Sequence, residues 1–388
     1  MNSEDTTKRN LPHARRDPAT EYGEVEVRLS LREWIAAGVV AALVLWLAPV
    51  LWERVEPFQP GEDYRIPYDL SGDYWLFQRY GRLAAGQSKT LVIGDSVVWG
   101  EYVTSRQTLS HYLNALAGQD RFANLGVDGM YPVAMAGLLD YYGDGIADSR
   151  VLLHFNPLWL ASREHDLQAG KEFRLNHPEL IPQFVPDIPV YTASYSDRLG
   201  CLVQHFIPLR TWVRHLQVAY LGSLDLPTWT IDHPYGTPVR IPADSPPGQG
   251  ERPRHEPATW TRRDPTLQDN PWVELSDSLQ WWSFRRSVEI LRSRGNTVFV
   301  LVGPFNEHML EPRSRDAYKL RKGEMEAWLR ANGIEYFAPD ALRSELYADA
   351  SHPLSEGYAE IARQLFADEA FRRFDGGPRV GTTTGVSK

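Results

Sequence analysis

Two short motifs, far apart in this chain, carry the residue types of nucleophilic catalysis. The apolar run Thr90-Leu91-Val92-Ile93 closes on Gly94-Asp95-Ser96 and continues as Val97-Val98-Trp99-Gly100. A buried strand that ends in Gly and then presents Ser holds a hydroxyl at the carboxyl rim of a parallel sheet, where ligands of open α/β sheets bind. Near the other end, Asp349-Ala350-Ser351-His352 stands just before a helical pattern. A serine hydroxyl is a weak nucleophile until an imidazole accepts its proton, and the imidazole needs an acid to hold its tautomer. Ser96, His352 and Asp349 are the three groups such chemistry requires.

The elements around these motifs alternate. Strands are expected at Thr90–Gly94, Arg121–Leu125, Arg150–Phe155, Thr297–Val302 and Ile334–Phe337, and helices near 107–117, 132–142, 276–293, 314–331 and 354–372. Short apolar strands alternating with amphipathic helices predict an α/β fold with a parallel sheet covered on both faces. The alternation breaks over 157–275, which includes a Pro-rich stretch from Asp232 to Pro271. A long aperiodic stretch of this kind reads as an insertion forming a lid or subdomain over the sheet rim. Trp159, Trp212, Trp229, Trp260, Trp272, Trp281 and Trp282 lie in it or at its exit. Core packing is the expectation for most of them, with stacking on sugar rings the alternative for exposed ones. No internal repeat is visible.

Four blocks together resemble the SGNH hydrolases, also called the GDSL family. VIGDSVVWG is similar to the first block, NLGVDG (124–129) to the second, HFNP (154–157) to the third and DASHP (349–353) to the last. The third departs from the frequent Gly-x-Asn-Asp, with His154 in place of the Gly and Pro157 in place of the Asp. The resemblance covers 88–156 and 295–372. It implies a flavodoxin-like three-layer sandwich, Ser96 as nucleophile, Asp349 and His352 completing the triad, and Gly126 and Asn156 as oxyanion donors. The first block is unlike the Gly-x-Ser-x-Gly elbow of α/β-hydrolases, which disfavours that fold. Among nearby polar residues, Asp95 is expected to bond local backbone and His154 to be a satisfied core residue. Asn306 and His308, after the fourth strand, are open to substrate contact or loop capping.

Composition bounds the remainder. A net charge of −9 lacks the basic footprint of a nucleic-acid binder. The single cysteine, Cys201, forms no internal disulfide and reads as a small buried hydrophobe. No metal or organic cofactor is indicated. From Trp34 to Trp52 the chain runs without a charge, long enough to span a bilayer, with a Trp at each end. No A-x-A-like site follows, which favours an anchor over a cleaved signal. Lys8, Arg9, Arg15, Arg16, Arg28 and Arg32 precede the span, against Arg54 and Arg65 after it. The positive-inside rule then places the N-terminus in the cytoplasm and the rest outside, in the periplasm of a Gram-negative cell.

The expected organisation is a cytoplasmic tail (1–33), a transmembrane helix (34–52), a juxtamembrane connection (53–88), the catalytic domain (89–375) and a disordered tail (376–388). The resemblance implies a serine esterase or O-acyltransferase acting on acyl esters of cell-envelope or exported carbohydrate, in some such proteins beside a multi-spanning acyltransferase. The alternative is an anchored, non-catalytic glycan-binding or scaffold protein on the same fold.

Overall fold

The structure, a computed structural model, describes residues 29–169, 175–237 and 253–376. The readings of residues 1–28 and 377–388 as tails lie outside the described residues. Helix α1 (Leu31–Val55) contains the uncharged stretch, with Pro49 near its end, and is long and apolar enough to cross a membrane. Residues through Leu47 form one unit, and those from Ala48 onward form another.

The second unit is built on five parallel strands, β1 (Thr90–Gly94), β2 (Phe122–Gly126), β3 (Arg150–Phe155), β4 (Thr297–Val302) and β5 (Glu335–Phe337), in the order β2-β1-β3-β4-β5. Its helices, in chain order, are α2 (Tyr74–Gly86), α3 (Ser96–Trp99), α4 (Leu109–Ala117), α5 (Pro132–Tyr142), α6 (Tyr195–Phe206), α7 (Pro208–Leu221), α8 (Leu226–Asp232), α9 (Trp260–Arg263), α10 (Leu279–Ser293), α11 (Pro312–Ala331), α12 (Ser355–Ala367) and α13 (Glu369–Asp375). All five residues of β1 are buried. Leu91 and Ile93 join one core with Phe77 of α2, Leu138 of α5 and Phe284 of α10, whereas Val92 joins a second core with Leu113 of α4, Ile361 of α12 and Phe371 of α13. Strand side chains alternate between faces, so one sheet feeds two cores and the unit has three layers.

The strands fall within a residue or so of the sequence reading. Thr108 and Ser278 cap α4 and α10 by accepting from the N–H groups of His111 and Trp281, which sharpens two helix starts. The helix expected over 354–372 is two: the Asp368 side chain accepts from Phe371 N–H and starts α13. The segment 53–88 is not a mere connection, because it contains α2, whose Phe77 and Tyr80 are core residues. Behind α2, Glu56 and Asp73 hold the buried His215 of α7 at 2.9 and 2.6 Å, and Arg79 pairs with Glu56 at 2.6 Å. Burial opposes the charge on His215, but Asp73 and Glu56 overcome it and push the pKa up to about 9.

Between β3 and α10 no described residue belongs to the sheet. Helix α7 packs on α2, whereas Trp159, His177 and the stretch around 254–263 reach the carboxyl rim, Trp159 on Asp95, His177 on Asp128 O and Arg254 on Asp128. Among the tryptophans, Trp260 and Trp281 are buried and Trp282 is half exposed. Cys201 is only part-buried, since it lies on the amphipathic α6 rather than in a core.

The order of the strands puts a topological switch point between β1 and β3, where crossover connections leave in opposite directions and open a crevice. The last residue of β2 determines how closely α3 approaches this crevice. A Cβ on Gly126 would lie 2.3 Å from Trp99 N and 2.8 Å from Trp99 Cα, both backbone atoms of α3. Gly126→Ala therefore forces the backbone apart. The expected cost is about 1–3 kcal/mol, read as a lowered unfolding midpoint, and an unchanged midpoint contradicts this packing.

Candidate active site

Ser96 is the first residue of α3, directly after β1. A four-residue helix satisfies few of its own backbone groups, and here side chains complete the bonding. The Asp95 side chain accepts from Val97 N–H. The carbonyl of Val97 accepts from the Tyr358 hydroxyl at 2.6 Å, and that of Val98 from Asn124 Nδ2 at 2.8 Å. Buried Arg65 donates to the carbonyls of Trp99 and Gly100 at 2.7 and 2.6 Å, and its guanidinium lies over the Trp99 ring. Gly100, at φ +91°, turns the chain away in the left-handed conformation that favours glycine.

The structure brings Ser96, His352 and Asp349 together. Ser96 Oγ lies 2.8 Å from His352 Nε2, a contact spanning 256 residues of chain. His352 Nδ1 lies 2.8 Å from both oxygens of Asp349. A carboxylate only accepts, so Nδ1 carries the proton and Nε2 faces the serine. Asp349 Oδ1 also accepts the N–H groups of Ser351 and His352, each at 2.9 Å. Burial raises the Asp349 carboxyl, but His352 and these donors outweigh it and hold it well below the usual carboxylate range. Burial also opposes charge on His352, yet Asp349, Glu101 and Asp95 push its pKa up to about 9.

The loop carrying Asp349 and His352 is tied to the end of β4. Asn306, fully buried, donates from Nδ2 to Asp349 O at 3.1 Å and from its backbone to Ala350 O at 2.8 Å. His308 Nε2 lies 2.8 Å from Leu342 O. Of the two roles open for these residues, the structure gives both of them backbone partners in loops.

Asp95 spans the switch point. Besides Val97 N–H, it accepts from Asn156 Nδ2 at 2.8 Å and from Trp159 Nε1 at 3.2 Å, and His154 Nδ1 lies 3.2 Å from its other oxygen. His154 Nε2 contacts Gly303 O at 3.1 Å. His154 is therefore a buried residue bonded at Nε2, with Nδ1 at ion-pair distance from Asp95, and Asp95 contacts β3 as well as its local backbone. Burial of Asp95 raises its pKa, but His154, Asn156 and His352 together bring it below the ordinary value. Asn156 accepts Leu158 N–H on its oxygen at 3.0 Å. One of its two amide protons goes to Asp95, and among the described residues no acceptor takes the other.

The expectation for Gly126 is corrected. Its N–H donates to Asn124 Oδ1 at 2.9 Å, so it is not free to bind an oxyanion. Among the described residues, the backbone N–H groups of Ser96 and Gly129 have no acceptor. The sequence carried a signal for Gly129 in the closing Gly of NLGVDG. It carried none for the groups that surround the triad. Glu101 lies beside His352, and Arg254 pairs with Asp128 at 2.6 Å. Burial raises Asp128 to about 6, Glu101 adding to the effect and Arg254 opposing it. No set of three or more His, Cys, Asp or Glu side chains is arranged to hold a metal among the described residues.

No protein-family model matches the chain, and comparison with curated proteins gives no match.

The linked titrations determine how stability varies with pH. The raised pKa values of His352 and His215 give a contribution that is complete below their unfolded value of about 6.5 and is lost as pH rises through about 9. The lowered Asp349 works oppositely: its contribution is complete above an unfolded pKa of about 3.9 and is lost as pH falls. The melting temperature is therefore expected to fall between pH 6.5 and 9, and His352→Gln to reduce that slope, with His215 accounting for the remainder. A slope unaffected by the substitution disproves the linkage.

Proposed function

We propose that this chain is a serine-dependent acyl hydrolase or O-acyltransferase of the SGNH type. The observation that carries the reading is the continuous path from Ser96 Oγ through His352 to Asp349, each contact at 2.8 Å. Ser96 Oγ attacks the carbonyl carbon of an acyl ester while His352 Nε2 takes its proton. The oxyanion is received by Ser96 N–H, Gly129 N–H and the uncommitted proton of Asn156 Nδ2. Each such donor is worth about 2.7–4 kcal/mol of barrier. The ester C–O bond then breaks, His352 returns the proton to the departing alcohol, and the acyl group remains on Ser96. Water or a second hydroxyl attacks next, its proton passes to His352 and on to Ser96 Oγ, and the acid or the new ester leaves.

Helix α1 anchors this chemistry to a bilayer in our reading, with the N-terminus in the cytoplasm and the catalytic unit outside it. The substrate we propose is the acylated carbohydrate of the cell envelope or of an exported polysaccharide, and a multi-spanning acyltransferase is the proposed donor partner. These assignments rest on the block resemblance and the basic residues before α1, because a fold by itself does not fix function.

A fluorophosphonate probe is expected to label Ser96, with labelling abolished by Ser96→Ala and reduced about 10³-fold or more by His352→Ala. Absence of labelling on a folded protein favours a non-catalytic binding role. Acetyl ester donor supplied with and without oligosaccharide acceptor, followed by mass, separates transfer from hydrolysis. Free acetate alone across the acceptors tested rejects the transferase.

A further inference from the structure

The catalytic histidine has a second acidic neighbour that the triad does not use. Glu101 Oε2 lies 3.1 Å from His352 Nε2, the nitrogen that faces Ser96. The other oxygen, Oε1, lies 3.0 Å from His255 Nε2 and 3.6 Å from Arg254 Nη1. Glu101 is held by the same framework as the nucleophile. Its N–H donates to Ser96 O at 3.3 Å, and Arg65 donates to the carbonyl of Gly100 just before it. We propose that Glu101 is a positioning residue: with Asp349 it brackets the His352 imidazole between two carboxylates, and it ties that imidazole to the 254–255 segment.

Every charged or titratable group facing His352 enters this balance. Asp349 comes from its own loop, Glu101 from the end of α3 and Asp95 from the end of β1. Tyr102 sets its ring edge-on to the imidazole at 5.4 Å, and Arg263 of α9 lies over the Tyr102 ring. Asp128, after β2, shares Arg254 with Glu101, and Arg254 also donates to the Tyr68 hydroxyl at 2.7 Å. The two carboxylates favour the imidazolium that forms when Ser96 loses its proton. They favour it equally before the reaction, which lowers the fraction of His352 able to act as base at neutral pH. Arg254 and His255 draw part of the Glu101 charge away from His352, so their removal strengthens the bias toward imidazolium.

This proposal rests on the serine-acyl reading, and two measurements on the full-length chain in detergent separate the two. The first is the pH dependence of fluorophosphonate labelling of Ser96. Glu101→Gln is expected to move the ascending limb down by about one pH unit, a roughly tenfold gain in rate below the limb. Glu101→Asp keeps the limb near its wild-type place, and Arg254→Gln combined with His255→Gln moves it up. A limb that stays in place in Glu101→Gln overturns the proposal, as does an equal loss in Glu101→Gln and Glu101→Asp without any shift. Should Glu101→Gln not fold, the Arg254/His255 double variant decides by the same limb. The second measurement is the ring-nitrogen NMR titration of His352 in Ser96→Ala, with and without Glu101→Gln. It needs no turnover: a lower His352 pKa on losing Glu101 supports the bracket even if the probe never labels, and an identical pKa refutes it even if labelling is robust.

Discussion

Helix α3 is the constraint on which the site depends. It has four residues, and its buried carbonyl groups need partners that the helix itself does not supply. Tyr358 from α12, Asn124 from β2 and Arg65 from the segment before α2 provide them. Three separate regions of chain therefore converge on one turn of backbone. An unpaired buried polar group costs about 1–3 kcal/mol, so each of these bonds resists displacement of α3. Ser96 is held because its backbone is held.

Asp95 and Asp349 do similar work in different places. Each is a carboxylate surrounded by donors, the buried Asp95 joining β1 to the end of β3 and the part-buried Asp349 orienting an imidazole. Burying a carboxylate is costly unless donors and a cation surround it. Both have them, and both lie below the ordinary carboxyl pKa for that reason. His352 experiences the reverse effect. With Asp349 on one nitrogen and Glu101 near the other, it favours its charged form despite burial. The arrangement suits a group that must carry positive charge while a neighbouring oxyanion exists. It also lowers the neutral fraction of His352 near pH 7.

The long stretch between β3 and α10 serves two unlike ends. Its helix α7 packs on α2 and buries His215 between Glu56 and Asp73, which fastens the segment after α1 to the sheet unit. Arg254, His255 and Arg263 instead lie beside the Ser96–His352–Asp349 cluster, on Glu101, Asp128 and Tyr102. The same stretch thus touches both α2 and the residues around His352.

Local patterns were sufficient for the strands and most helices, while the convergence of Ser96 with the late Asp349-x-x-His352 was expected from their residue types and the four-block resemblance. Strand periodicity and caps are properties of neighbouring residues, so they are legible without a fold. The apolar stretch inside α1 was legible for the same reason, because hydrophobicity sustained from Trp34 to Trp52 needs no context. What the sequence did not reveal were competing hydrogen bonds. Gly126 stands in a motif position for an oxyanion donor, yet its N–H belongs to Asn124 two residues earlier. Only the tertiary structure decides that, because an N–H can serve one good acceptor and the choice depends on where each side chain points. Glu101, Arg254 and His255 belong to the same class: their meeting at His352 is an outcome of packing between regions far apart in the chain, and no local spacing encodes it.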